Sequence, residues 1–280
     1  MDIINGREIR NKILEGLREK IEKLPLKPIF SDVLVGQDAA SQQYVKMKEK
    51  TATNIGIEFL KAQFDESITT EELLIEIDKL NATPRMCGLI VQLPLPSHID
   101  TKKVLDRIDP SIDVDATGEI NTKKFYEGNP GFIFPTAQAV MEIISSLDVD
   151  FKNKNFVILG KGDLVGKPVN KMLINIGIIP IVVDRTTLDI SSVTRKADVL
   201  ICATGRGGLI DSTMLKEGVI IIDAGTSESY GSIVGDVNTL GIEAFASALS
   251  PVPGGVGPVT VACLMRNIVL SAQNKFNAKY

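Results

Sequence analysis

Apolar residues fall into two kinds of pattern along this chain. Ile9, Ile13, Leu14, Leu17 and Ile21 recur at the spacing of one helix face, and Ile29–Val35 then reads as a strand ending at Gly36. A helix is predicted from Ala40 to about Ile55 and a strand near Ile57–Phe64. Thr69 and Glu72 form a capping-box pattern ahead of Leu73, Leu74 and Ile77. Gly88–Val91 reads as a short buried strand, stopped by the prolines of Leu93-Pro94-Leu95-Pro96. Residues 109–135 are rich in Pro, Gly, Asp and Asn and poor in periodicity, and read as a junction. Beyond it come a helix over Thr136–Leu147, a strand over Phe156–Leu159 and a helix over Lys167–Ile176. Further strands are predicted at Ile179–Val183, Val199–Ala203 and Val219–Asp223. The loop Pro251–Pro258 leads into a final helix of about fifteen residues from Val259. Strands alternating with helices imply right-handed crossovers and parallel sheets. At 280 residues the chain exceeds the usual single core, so two α/β domains are expected.

Composition narrows the chemistry. A net charge of −4 offers no field for a nucleic-acid backbone, and no apolar run is long enough to span a bilayer. The N-terminus lacks the cationic and apolar regions of a secretion signal, so a cytoplasmic location is expected. Cys87, Cys202 and Cys263 are too scattered for a metal or redox pair and sit in apolar sequence that suits packing. His98 is the only histidine, which removes histidine triads and His-rich zinc sites and leaves it a capping or packing role. No metal is expected, and proton transfer falls to lysine, carboxylates or water.

Gly160-Lys161-Gly162-Asp163-Leu164-Val165-Gly166 follows an apolar strand and opens a helix, where exposed N–H groups suit a dinucleotide phosphate. Pro168 fits the first turn of that helix. The next strand ends at Val183-Asp184-Arg185, where a ribose-reading residue belongs. Asp184 favours NAD, whereas Arg185 with Lys161 favours the extra phosphate of NADP; two cations against one anion point to NADP, with NAD possible. In the first half, Tyr44 and Lys48 share a helix face one turn apart. Gln92 stands at the carboxyl end of a strand, and Asp113-Val114-Asp115 lies in the junction. Each has a bland reading as a solvated, core or turn residue; their convergence on one rim points to a site.

Tyr44-Val45-Lys46-Met47-Lys48, Val91-Gln92-Leu93-Pro94-Leu95-Pro96, Asp113-Val114-Asp115, Gly166-Lys167-Pro168, Gly235-Asp236-Val237 and Pro251-Val252-Pro253-Gly254-Gly255-Val256-Gly257-Pro258 occur in that order. Over nearly its whole length the chain thereby resembles the bifunctional methylenetetrahydrofolate dehydrogenase/cyclohydrolases. The resemblance implies two α/β domains flanking a cleft: a catalytic, folate-binding domain over 1–118, joined by the helix 260–280, and a Rossmann domain over 119–259. It implies hydride transfer from methylenetetrahydrofolate to the nicotinamide, then hydrolysis of the methenyl cation to the 10-formyl product. Lys48 would orient or deprotonate the water or shuttle its proton, and Gln92 would hold Lys48 and touch the folate. Asp115 would accept from the pterin, Tyr44 would stack on it, and Asp113 is the less certain acid. Leu93, Pro253, Gly254 and Gly255 would also meet the folate. Gly160, Lys161, Gly162, Val165, Gly166, Lys167, Pro168, Asp184, Arg185, Ala203, Thr204, Gly225, Thr226, Gly257 and Thr260 would line the cofactor. A homodimer, through the cofactor domains, is also implied.

Several positions depart from the family pattern. Ile112 and Ala116 flank the Asp-Val-Asp run where lysine and glycine are usual, and Phe134-Pro135-Thr136-Ala137 replaces Pro-Cys-Thr-Pro. Lys161-Gly162 stands for Arg-Ser, Asp184-Arg185 for His-Ser, and Thr226-Ser227 for Ile-Asn. Two alternatives remain: a dehydrogenase of another small substrate, such as a hydroxylated ring acid, and a non-catalytic nucleotide-sensing module.

Overall fold

The computed structural model describes residues 1–229 and 232–277. In chain order its elements are β1 (Asp2–Ile3), α1 (Gly6–Glu22), β2 (Ile29–Val35), α2 (Ala39–Asn54), β3 (Glu58–Phe64), α3 (Thr70–Asn81), β4 (Met86–Val91), α4 (Thr101–Arg107), α5 (Glu119–Tyr126) and α6 (Pro135–Ser146). There follow β5 (Phe156–Leu159), α7 (Gly166–Asn175), β6 (Ile181–Val183), α8 (Ile190–Thr194), β7 (Val199–Cys202), β8 (Val219–Asp223), β9 (Ser227–Ser229), β10 (Ser232–Val234), β11 (Ala246–Ser250) and α9 (Val256–Asn277). By contacts the chain divides into two compact units: Met1–Asn11 with Thr136–Thr260, and Lys12–Pro135 with Val261–Tyr280. The segment Met1–Asn11, expected in the first domain, groups with the second because β1 pairs in parallel with β11. Residues 119–135, expected in the second, group with the first.

In the unit built on Lys12–Pro135, β2 is the middle strand of a parallel sheet ordered β3-β2-β4. One face of β2 sends Ile29, Val33 and Val35 into a core with Leu73, Ile77, Leu89 and Val104. On α9, the Asn267 amide donates to the carbonyls of Val114 and Ile133, both at 2.8 Å, and the Ser271 hydroxyl to Ser111 O at 2.8 Å. A Cβ on Gly88 of β4 would stand 2.7 Å from Ile268, so the missing side chain lets helix and strand approach. The capping box of α3 forms as predicted, with the Glu72 N–H donating to Thr69 Oγ1 and the Thr69 N–H to Glu72.

The other unit carries a six-stranded parallel sheet ordered β1-β11-β8-β7-β5-β6. The chain leaves β5 for β6 on one side and crosses to β7 on the other, so a topological switch point lies beyond the carboxyl end of β5. Val157, Leu159, Leu200, Ile221 and Leu249 fill the core.

Most predicted elements are present within a few residues of their expected bounds. The junction nevertheless holds α5, whose eight residues mix polar and aromatic side chains with little apolar period. β11, Ala-Ser-Ala-Leu-Ser, has no β-branched residue and is a strand by virtue of its partners on both sides. The last helix begins at Val256 rather than Val259, because Pro258 sits in its first turn where no N–H is required. Its predicted extension over 278–280 lies outside the described residues. By length and composition α9 would pass for a membrane span, but 72% of the apolar window is buried, as in a core helix.

Candidate functional site

The carboxyl ends of β2 and β4 set the first group of side chains. The register pairs Asp32 with Ile90 and Val33 with Val91, and the Gln92 N–H donates to Val33 O at 2.9 Å. Gln92 therefore emerges one step past the sheet's last rung. The chain leaves β2 through Gly36 (φ +84°) and enters α2 behind Asp38, which accepts from the Ser41 N–H at 2.8 Å. Three turns into α2, Lys48 is only 3% exposed. Its ammonium donates to Gln92 Oε1 at 2.8 Å, lies 2.6 Å from Asp32 Oδ2, and stands 4.7 Å from the centroid of the Tyr44 ring. Neither Asp32 oxygen meets hydrogen-bond geometry, yet at that separation the opposite charges are in direct contact. Leu93 O accepts from the Gln92 amide at 3.4 Å, and both cis peptide bonds, before Pro94 and Pro253, fall in the proline motifs.

Burial dominates the electrostatics. It pushes the Asp32 carboxyl up, against the attraction of Lys48. It raises the Tyr44 phenol, helped by the charges of Asp115 and Asp32. The half-buried Asp115 is pushed up to about 6, first by desolvation; Lys48 pulls it down, and Asp113 and Asp32 push it up. Tyr44, Lys48, Gln92 and Asp115 thus meet in one electrostatic cluster. Asp113 does not join it through its oxygens. Its buried carboxylate accepts from the N–H groups of Gly118 (3.0 Å) and Thr117 (3.3 Å) and from the Asn121 amide (3.1 Å), tying the turn ahead of α5. Ala116, where the family pattern has glycine, adopts φ +59°, a left-handed conformation that costs a residue with a Cβ about 1–2 kcal/mol. Asp32 is the site residue that the sequence reading missed. Its one signal is a carboxylate inside an otherwise apolar strand.

The second group surrounds the switch point. Gly160 (φ +108°) could not carry a Cβ, which would fall 2.2 Å from Ala203 O, and a Cβ on Gly166 would fall 2.1 Å from Gly160 O. Gly162 faces open space, and α7 starts behind Val165 with no side-chain cap, its Lys167 N–H donating to Gly162 O at 3.0 Å. Lys161 and Lys167 are exposed there, and Pro168 is buried in the first turn. Asp184 is engaged in its own turn, accepting from the N–H (2.9 Å) and hydroxyl (2.6 Å) of Thr186, while Arg185 is exposed. Two buried acids hold the neighbouring loops. Asp236 accepts from the N–H groups of Thr204 (2.6 Å) and Arg206 (2.8 Å). Asp223 accepts from Gly225 (3.0 Å), Asp236 (3.1 Å) and Val237 (3.0 Å), with burial pushing it up to about 6. Thr226 is exposed beside them. Gly254 O accepts from the Gly6 N–H at 3.0 Å, and a Cβ on Gly255 would fall 2.1 Å from Ser250 Oγ. Gly257 has open space around it, and Thr260 turns its hydroxyl onto Val256 O at 3.1 Å. His98 is exposed and bonds Ile68 O at 3.0 Å, and the three cysteines are buried.

The raised Asp115 carboxyl has a consequence for stability. Its ordinary value is 3.8, so between that pH and about 6 the native state holds more protons than the unfolded chain, and this group's contribution falls as pH rises. Asp115→Asn removes the dependence. The stability of the variant relative to the parent should grow across that window, measured as the urea midpoint; a constant difference would contradict the assignment.

Comparison with known proteins shows the family. Residues 4–115 match the tetrahydrofolate dehydrogenase/cyclohydrolase catalytic domain, and residues 135–276 match the NAD(P)-binding domain of the same family. The chain is 40% identical over 278 residues to the bifunctional protein FolD of Nautilia profundicola, covering 98% of each. The crystal structure of the bifunctional FolD dehydrogenase/cyclohydrolase from Campylobacter jejuni superposes with a TM-score of 0.92 at 40% identity, over 98% of this chain and 99% of that one. A Trypanosoma brucei FolD complexed with NADP and an inhibitor gives 0.91 at 33% identity, over 98% and 97%. With two family domains in order and full-length relatives, this chain belongs to the tetrahydrofolate dehydrogenase/cyclohydrolase family.

Proposed function

We propose that this protein oxidises 5,10-methylenetetrahydrofolate with NADP and hydrolyses the resulting 5,10-methenyl cation to 10-formyltetrahydrofolate. The observation that carries the reading is the buried Lys48, hydrogen-bonded to Gln92 and set beside Tyr44 and Asp115, in a chain of this family. Hydride transfer needs alignment of two rings more than any acid or base. Tyr44 offers a face for stacking, Asp115 accepts from pterin N–H groups, and Leu93, Pro253, Gly254 and Gly255 complete the folate contacts. Hydrolysis needs a proton acceptor, and Lys48, oriented by Gln92, serves the water.

The residues around the switch point fit a dinucleotide. Gly160, Gly162 and Gly166 keep the backbone open beside the uncapped end of α7, where a phosphate is stabilised. Once bound, the nicotinamide supplies the hydride acceptor; the protein supplies Val165, Lys167 and Pro168 beneath the phosphates and Ala203, Thr204, Gly225, Thr226, Gly257 and Thr260 around the rings. Arg185 and Lys161 read the 2′-phosphate, two cations against the one charge of Asp184, whose Oδ1 is held by Thr186. Asp113 acts by holding the loop of Asp115. The protein works in the cytoplasm, without nucleic acid, membrane or metal. It forms a homodimer through the edge of the six-stranded sheet, where Ile174, Ile176, Ile179 and Ile181 of α7, β6 and their connection are all exposed.

Methylenetetrahydrofolate with NADP should raise the reduced-nicotinamide absorbance; no signal with either nicotinamide cofactor would refute the enzyme. Lys48→Met should lower methenyl hydrolysis by about 10²–10⁴-fold with NADP binding largely intact; retained hydrolysis would exclude Lys48. Arg185→Ala should raise the KM for NADP about tenfold and leave that for NAD nearly unchanged; equal effects would mean that Arg185 does not read the phosphate. Ile179→Lys should convert a sedimenting dimer to monomer; an unaltered dimer would place the interface elsewhere.

A further inference from the structure

Asp32 is 1% exposed, on a strand where every residue is buried. It lies on the face of β2 that also carries Phe30 and Leu34, positions where the strand is apolar. A carboxylate there is costly unless something uses its charge. No hydrogen bond in the described residues reaches either oxygen, and its contact is the Lys48 ammonium at 2.6 Å. Gln92 accepts from the same ammonium at 2.8 Å, so Nζ is held between the amide oxygen and the carboxylate. An ammonium nitrogen has no lone pair, so Lys48 can take a proton from water only after it has given one up.

We propose that the base for methenyl hydrolysis is the Lys48–Asp32 pair, with Asp32 a positioning residue that holds the ammonium and receives the proton Lys48 passes on. The inference rests on the hydrolytic activity proposed above. As the water oxygen bonds to the methenyl carbon, the electron pair of the C=N⁺ bond returns to nitrogen and the water O–H breaks. Before this an Nζ–H proton has moved to Asp32 Oδ2, leaving Lys48 a neutral amine, and the water proton goes to the lone pair of Nζ. The positive charge that entered on the substrate now resides on the pair, with lysine again an ammonium and Asp32 a neutral acid. When the other C–N bond breaks, the pair returns a proton by the same path to the departing nitrogen, and the hydroxyl proton leaves to solvent. The charged and titratable groups facing the pair are Tyr44 on α2 and Asp115, with Asp113 behind Asp115. The Tyr44 ring stabilises the ammonium throughout.

The test follows loss of methenyl absorbance across pH for the parent and for Asp32→Asn, with the dehydrogenase rate taken on the same samples. The variant should hydrolyse about 100-fold more slowly near neutrality. Its rate should climb with pH, because without the Asp32 carboxylate a solvent base must take the proton that the carboxylate would receive, and the dehydrogenase rate should fall by less. Asp32→Glu should recover part of the loss. A variant with the parent's rate and pH profile would overturn the pair, while absence of hydrolysis in the parent would overturn the proposed function as well. Should Asp32→Asn fail to fold, Asp32→Glu decides, since it keeps the carboxylate and should hydrolyse faster than Lys48→Met with the parent's pH profile. Hydrolysis no faster than that of Lys48→Met would overturn the pair.

Discussion

An ammonium that is 3% exposed has given up nearly all of its water, and acceptors must replace what that water supplied, at a cost of several kcal/mol if they do not. For Lys48 the replacements come from two adjacent strands and from its own helix. Asp32 lies within β2, Gln92 just beyond β4, and Tyr44 one turn earlier on α2. This arrangement depends on the parallel register that sets Asp32 opposite Ile90 and brings Gln92 out one step later. A slip of one residue would turn Asp32 into the apolar core and strand the lysine without a counter-charge. The sheet is thus held in register by the charge as well as by Ile29, Val33 and Val35.

The other unit solves a related problem with carboxylates alone. Asp223 and Asp236 are buried with no ion pair among the described residues, and backbone N–H groups take the place of a cation. Five such bonds tie together the loops after β7, after β8 and after β10. Glycine at 225 and 235 is required because a Cβ at either would collide with the opposite carboxylate at 2.1 Å. The Gly-Asp-Val motif therefore belongs to the scaffold that shapes the loops around the switch point.

The α/β character and the main strands were legible in the sequence because buried parallel strands are short apolar runs and the capping box has a fixed spacing. Tyr44, Lys48 and Gln92 could be placed together because helix period and strand ends are both local properties. Asp32 could not. A single acid inside Ile-Phe-Ser-Asp-Val-Leu-Val does not announce that a lysine sixteen positions later will reach it, since that depends on how α2 packs on the sheet. β11 was hidden for the complementary reason, its small residues being strand-like only between β8 and β1. Asp113 and Asp115 read alike in the sequence, and only the turn toward Asn121 separates the acid that ties backbone from the acid that stays available.

The chain passes between its two units three times, within α1, ahead of α6 and within α9. Neither unit is therefore written as one uninterrupted stretch of gene. During synthesis the Val114 and Ile133 carbonyls have no Asn267 donor until that residue has been translated and has left the ribosome. β1, the first strand made, likewise has no partner until β11 follows. Such wiring resists the exchange of either unit by simple recombination at a single point.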